Sequence, residues 1–386
     1  MVTDRAWLEG ARMGPPLARL EAEVASVLAV LSSTGAMRVE PAALQPADVL
    51  LDLYGEDIRA RAFVTRDEGA EMMLRPDFTV PIVRLHMDAS MNGGAVPARY
   101  AYCGPVWRRQ EWGSDRAREY LQAGLEIFAA GDPAAADAEV MALVVASLGD
   151  APVDLVTGDL GLVLAAIDAL ETTDARKAAL RRHVWRPARF RALLHRYGEG
   201  QAAATAARAD LLAAEAAGHT LALVAAAGTA VGLREPEDVA ARVARLATEA
   251  ATPPLDPRAV AGIEAILAVE GDAAAALARL EALARSLPGL DAAVARTAAR
   301  LDALAAHGVP PERLRFEAGF GRTSLEYYDG FVFGALPRGR PDLPPIASGG
   351  RYDALTRALG AGTGIPAVGG MIRPEALLAL RAGDAC

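Results

Sequence analysis

The chain has 386 residues, 52% of them hydrophobic, and a formal net charge of −9 at pH 7. That length buries a large core and leaves room for about two or three domains, while the acidic balance, with Lys177 the only lysine, lacks the basic stripe on which nucleic-acid binding draws. Two cysteines, Cys103 and Cys386, and five scattered histidines give neither a disulfide framework nor a metal-ligand spacing.

Met1 to Pro16 carries early acids and no apolar stretch of the signal-peptide kind, and no apolar run reaches the roughly 18 residues of a membrane span. A cytoplasmic protein with no membrane partner is expected. Leu17 to Leu31, "LARLEAEVASVLAVL", has helical spacing and is stopped by Gly35. A strand starts near Met37, and "ARAFVTRDEGAEMML" reads as a hairpin around Asp67 to Gly69. A helix follows over Phe78 to Met91, and then "ARYAYCG", "VWRRQEW" and "REYLQAGLEIFAA" read as strands. Ala134 to Leu148 is helical, and "VDLVTGDLG" is a strand and turn leading into another helix.

From Thr173 to about His307, Ala, Leu, Arg and Glu dominate, and the block reads as a largely helical insertion. Strand patterns return in "RLRFEAGF", "LEYYDGFVFGAL" and "PIASGGRYDAL", before a closing helix in "RPEALLALRAG". Strands that bracket a helical block must rejoin one sheet to bury its apolar face. The expected fold class is α+β, an antiparallel sheet flanked by helices, with 1–172 and 308–386 as the core and 173–307 as the insertion.

Arg99 to Phe128 carries the chemistry. On its second strand Gln122, Gly124 and Glu126 share a face, and a glycine between two polar side chains leaves space for a ligand. Alone, the segment reads equally well as a solvent-facing polar edge. Cys103 reads as a small buried hydrophobe.

Arg99 to Phe128 resembles motif 2 of histidyl-tRNA synthetases, class II aminoacyl-tRNA synthetases. Four further segments fall in register with that family: "LRPDFT", "SLEYYDGFVF", "SGGRYDAL" and "PAVGGMIRPEALL", the last aligning with motif 3. Pro41 resembles the motif 1 proline of the dimer interface. The resemblance implies a histidine pocket formed by Asp77, Thr79, Gln122, Glu126, Tyr327 and Tyr328, with Arg108 as the motif 2 arginine. Arg75, Arg116, Gly124, Arg322 and Arg351 become candidate pocket lining. A buried zwitterion is tolerable only when both charges find partners, which this set supplies.

The departures carry equal weight. Thr323 stands where the family has an activating arginine. Arg322 is one step away, which on a strand means the opposite face. Ala376 stands where the motif 3 arginine would hold the triphosphate. Each such preorganised donor is worth roughly a hundred- to a thousandfold in rate, so no catalytic residues are expected. The chain also ends shortly past motif 3, where a synthetase continues into an anticodon-binding domain, so no tRNA partner is expected.

A histidine pocket on a non-catalytic scaffold resembles the regulatory-subunit branch of the family, which partners the short-form catalytic subunit of ATP phosphoribosyltransferase. That resemblance implies a homodimer of this chain within a hetero-oligomer, a hetero-octamer, with histidine as ligand and no cofactor or metal. The alternatives left open are a truncated histidine-activating enzyme and a scaffold with a vestigial pocket.

Overall fold

The computed structural model describes residues 11–47, 56–67, 69–91, 98–114, 116–128, 131–199, 206–228, 235–322, 327–360 and 362–383. The chain divides into two compact units, Met1–Ala165 with Ala265–Cys386, and Ala166–Glu264.

The first unit opens with helix α1 (Pro15–Leu31), started by Pro15 and Pro16, whose fixed φ suits the first helical turn. It buries Leu20, Glu23, Val27 and Leu31, a stripe at helical spacing. Short strands β1 (Met37–Arg38) and β2 (Leu44–Pro46) follow, then α2 (Glu56–Arg61), β3 (Val64–Asp67) and β4 (Ala70–Leu74). The predicted hairpin is present: Asp67 pairs with Ala70, and Gly69 takes a positive φ of 92° in the turn.

Helix α3 (Thr79–Met91) leads to β5 (Ala98–Trp107) and β6 (Glu119–Phe128). Here the sequence reading divides what is continuous: "ARYAYCG" and the start of "VWRRQEW" form one strand, paired with β6 from Ala98 opposite Phe128 to Trp107 opposite Glu119. Only the arginine-rich remainder forms the loop. Helix α4 (Pro133–Leu148), capped where the Asp132 carboxylate accepts the Ala134 amide at 3.0 Å, precedes β7 (Val153–Asp159) and α5 (Leu160–Asp168).

The second unit is built from α6 (Asp174–His183), α7 (Pro187–Glu199), α8 (Ala206–Ala216), α9 (Thr220–Ala226) and α10 (Pro236–Ala251). Its centre is Arg176, 2% exposed, whose Nε donates to both Glu249 carboxylate oxygens at 3.1 Å while Nη1 donates to the Pro253 carbonyl at 2.7 Å. Its guanidinium lies 4.8 Å from the Tyr197 ring centroid, and Phe190 and Leu194 of α7 are buried.

After α11 (Pro257–Leu267) the chain returns to the first unit through β8 (Glu270–Asp272), α12 (Ala273–Ala284), α13 (Asp291–Ala306) and β9 (Leu314–Glu317). The end of the expected insertion therefore belongs to the core. β8 extends the main sheet, and α13 buries Ala293, Val294, Thr297, Arg300, Leu301 and Leu304. Uniformly alanine-rich helices conceal that division, because alanine favours helix without marking which face is buried.

β10 (Phe331–Pro337), β11 (Ala347–Arg351), α14 (Asp353–Leu359), β12 (Ala367–Ile372) and α15 (Pro374–Gly383) complete the chain. Among the described residues nine strands form the main sheet in the order β1-β5-β6-β12-β11-β10-β7-β9-β8, and β2-β4-β3 form a small second sheet. The late strands do rejoin the early ones, β12 beside β6 and β10 beside β7. The sheet is antiparallel except at β1/β5 and β7/β9.

Arg75, expected to line the pocket, instead fastens the backbone. It is 2% exposed; Nη1 donates to the Pro41 carbonyl, Nε donates to the Pro105 carbonyl at 3.0 Å, and the guanidinium lies 4.1 Å from the Phe78 ring centroid. Burial holds its pKa below the ordinary arginine value. Arg75→Met leaves two carbonyls without this donor and is expected to cost about 2–3 kcal/mol, read as a lower urea midpoint in equilibrium unfolding.

Candidate functional site

β6 carries Gln122 and Glu126, each 1% exposed, into the middle of the main sheet. Three hydroxyls converge on the Glu126 carboxylate. Thr79, the first residue of α3, donates to Oε1 at 2.8 Å; Tyr102 of β5 donates to the same oxygen at 3.3 Å; Tyr352, at the end of β11, donates to Oε2. Opposite Glu126 on β12 stands Gly369, where a Cβ would lie 1.6 Å from Oε2. The carboxylate is folded across a strand that has no side chain at that point.

Gly124 has a different role from the one its sequence position suggests. A Cβ there would lie 2.3 Å from the Tyr102 hydroxyl, and Tyr102 is its cross-strand partner. The space is taken by this chain's own tyrosine, so Gly124 admits a donor to Glu126 rather than a ligand. Tyr102 was not foreseen as a site residue; its signal was an aromatic residue directly opposite a glycine in a hairpin. It stacks on Phe78 with centroids 4.4 Å apart.

Around this centre lie Asp77, Tyr327 and Tyr328, all buried. Asp77 Oδ1 accepts the Val80 amide at 3.4 Å at the start of α3. The rings of Tyr327 and Tyr328 meet edge to face at 4.9 Å, and Tyr327 meets Tyr352 in the same way at 6.1 Å. Arg108, at the end of β5, donates from Nε to the Pro76 carbonyl at 3.0 Å. Of the predicted set, Asp77, Thr79, Glu126, Tyr327 and Tyr328 form one connected cluster, and Arg108 joins it through Tyr328. Gln122 lies four residues before Glu126 on β6, opposite Gly104.

Of the remaining candidates, Arg116 and Arg351 go elsewhere. Arg116 is exposed on the β5–β6 loop. Arg351 turns away into ion pairs with Asp137 and Asp353. Arg322 is buried, but in a turn, its amide donating to the Gly319 carbonyl at 3.4 Å, so an alternating-face argument does not apply to it. Thr323 lies outside the described residues. Ala376 is buried in the first turn of α15, and its neighbour Glu375 accepts the Leu121 amide at 3.1 Å. Arg373 donates to the Pro345 carbonyl, with its guanidinium 5.7 Å from the Tyr120 ring centroid. Cys103 is half-buried, and burial pushes its thiol up to about 11.

The electrostatics follow from desolvation. Burial raises Glu126 to about 7; hydrogen bonds from Tyr352, Thr79 and Tyr102 offset part of that rise, and the nearby Asp77 adds to it. Burial also raises Tyr328, with Glu126 and Asp77 raising it further and Arg108 opposing. Burial lowers Arg373, and the like charge of Arg108 lowers it again. Carboxyl groups and a guanidinium thus both lie within electrostatic reach of Tyr328. Among the described residues no group of three or more His, Cys, Asp or Glu side chains could hold a metal ion, and no helix is long and apolar enough to cross a membrane.

The histidyl-tRNA synthetase family model matches residues 12–253 and 240–377. The chain resembles a solved Bacillus halodurans protein described as an ATP phosphoribosyltransferase regulatory subunit/histidyl-tRNA synthetase, with TM-score 0.66 and 21% identity over 96% of this chain and 81% of that one. It also resembles histidyl-tRNA synthetase from a Nostoc species, with TM-score 0.62 and 17% identity over 98% and 75% of the two chains. Fold and family match together define a histidyl-tRNA synthetase-like protein with the class II synthetase fold. Among curated relatives, the ATP phosphoribosyltransferase regulatory subunit of Mesorhizobium japonicum is 35% identical over 380 residues, 94% of this chain and 98% of its own. That of Brucella ovis is 32% identical over 381 residues, 91% and 94% of the two chains. The chain belongs to the family of ATP phosphoribosyltransferase regulatory subunits.

A raised Glu126 makes stability depend on pH. The folded chain keeps this proton up to about pH 7, whereas the ordinary carboxyl of the unfolded chain releases it near 4.5. The unfolded state therefore binds fewer protons through that window, and stability falls as pH rises across it, by about 3 kcal/mol in all. Glu126→Gln is expected to remove this slope, so that its urea midpoint exceeds that of the parent at pH 8 and matches it at pH 5.

Proposed function

We propose that this chain is a non-catalytic subunit that activates a short-form ATP phosphoribosyltransferase catalytic subunit and relays its inhibition by histidine in the first step of histidine biosynthesis. The observation that carries this reading is the desolvated Glu126 carboxyl, held among Thr79, Tyr102 and Tyr352 beside Asp77. A buried acid poised near neutrality gains a counter-charge when an ammonium or imidazolium group enters. Histidine offers both groups, and its carboxylate would fall to Gln122 and Arg108. The names of the relatives support the regulatory role.

The chain would act as a homodimer within a hetero-octamer, with no part for tRNA. Phosphoribosyl transfer would take place on the partner's residues. Histidine inhibits only if it binds one quaternary state better than another; a coupling of about 1–3 kcal/mol gives roughly 5- to 150-fold modulation. Copurification with a short-form catalytic subunit, and assays with and without this chain, test the partnership. Activity equal in both would overturn it. Glu126→Ala is expected to raise the inhibitory histidine concentration at least about tenfold while the complex still copurifies. Inhibition at the parental concentration would place the effector site elsewhere.

A histidine-activating enzyme is the second reading, favoured by one observation: Arg373 lies within electrostatic reach of Arg108 and Tyr328. Against it stand Thr323 and Ala376 where the family's activating arginines would be. Histidine-dependent pyrophosphate exchange with ATP separates the two. Exchange at background level is expected, and robust exchange would establish the enzyme instead.

A further inference from the structure

Five charged side chains, four of them buried and Asp353 half-buried, form one chain. Asp137, in α4, is 1% exposed and receives two arginines: Arg351 donates to its Oδ1 from Nε at 2.9 Å and from Nη2 at 2.7 Å, and Arg300 donates to its Oδ2 from Nε at 2.8 Å. Arg300, in α13, also donates from Nη1 to Asp159 Oδ2 at 2.9 Å, and its guanidinium lies 4.6 Å from the Phe331 ring centroid. Arg351 donates from Nη1 to Asp353 Oδ1 at 3.0 Å, and that oxygen also accepts the Ala367 amide at 2.8 Å. Asp329 completes the turn by accepting the Asp353 amide at 3.0 Å and the Ala354 amide at 2.6 Å.

Buried ion pairs of this kind contribute little net stability over apolar side chains of the same volume. What they do contribute is geometry: a planar guanidinium bonded along two edges fixes the backbone that carries it. Here that backbone is Arg351-Tyr352-Asp353, and the residue in the middle is the one whose hydroxyl reaches Glu126. Arg300 and Arg351 meet on the two oxygens of one carboxylate, so the orientation set by α13 passes to the turn through Asp137.

We propose that Arg300 is a positioning residue which, through Asp137 and Arg351, sets the Tyr352 hydroxyl on Glu126 and so tunes the pocket from a helix that does not line it. Only the identity of the ligand in this inference rests on the regulatory reading. The groups that face Glu126 are Thr79, Tyr102, Tyr352, Tyr327, Tyr328 and Asp77. Of these, Tyr352 is the one held by the arginine chain, and its hydrogen bond lowers the Glu126 pKa.

The test is a carbon-13 NMR titration of the Glu126 carboxyl in the full chain, assigned by its loss in Glu126→Gln. Arg300→Met is expected to move the midpoint upward, Tyr352→Phe to move it by the same amount, and the double variant to move it no further. Leu301→Ala, on the same helix and buried but outside the ion chain, is expected to leave it in place. If Arg300→Met does not fold, Arg300→Lys, which keeps the charge but has a single arm, is expected to shift the midpoint in the same direction. An unmoved midpoint in a folded Arg300 variant, or an equal shift in Leu301→Ala, overturns the inference. Calorimetry adds a second readout: histidine affinity is expected to fall about tenfold in Arg300→Met and no further with Tyr352→Phe added. Failure of histidine to bind the parent chain would sink the regulatory reading and leave the titration to decide this inference by itself.

Discussion

A carboxyl group taken out of water must find hydrogen-bond donors, keep its proton or acquire a counter-charge, and Glu126 imposes that requirement on everything around it. Its three hydroxyl partners come from the start of α3, from β5 and from the end of β11, segments far apart in the chain. Two glycines make room, Gly369 for the carboxylate itself and Gly124 for the Tyr102 hydroxyl. An interior part of the sheet is therefore arranged around one acid, whose burial raises its pKa.

That acid sits between two other polar systems with different tasks. Arg75 ties the Pro41 segment to β5 by binding two carbonyls, which fixes the floor beneath Phe78 and Tyr102. On the other side, Asp137 joins Arg300 to Arg351 and holds the turn that presents Tyr352. Arginine suits both positions because its planar fork satisfies several acceptors while staying charged. Arg75 and Arg351 resemble site residues in sequence but act as fasteners.

Composition and motif order carried much of the fold. The helices at Leu17 to Leu31 and Ala134 to Leu148 were legible because their apolar residues recur at helical spacing and proline, aspartate or glycine marks their ends. The return of the late strands to the first sheet was legible because an apolar strand face must be covered. The limits of the second unit were not legible, because alanine-rich helices look alike whether they lie in the core, as α13 does, or in the second unit.

By itself the sequence determined the candidate set: its resemblance to the histidyl-tRNA synthetase family, carried by five segments in order, picks out Asp77, Thr79, Gln122, Glu126, Tyr327, Tyr328 and Arg108, and all seven are buried. Tertiary structure decided which neighbours complete the site and which leave it. Cross-strand register, set by β5 against β6 and by β6 against β12, placed Tyr102 in the space above Gly124 and Glu126 over Gly369. Long-range pairing engaged Arg351 in an ion pair with Asp137 and Arg75 in hydrogen bonds to the Pro41 and Pro105 carbonyls. Both effects join residues tens to hundreds of positions apart, and local pattern has no means of announcing a partner that only folding brings near.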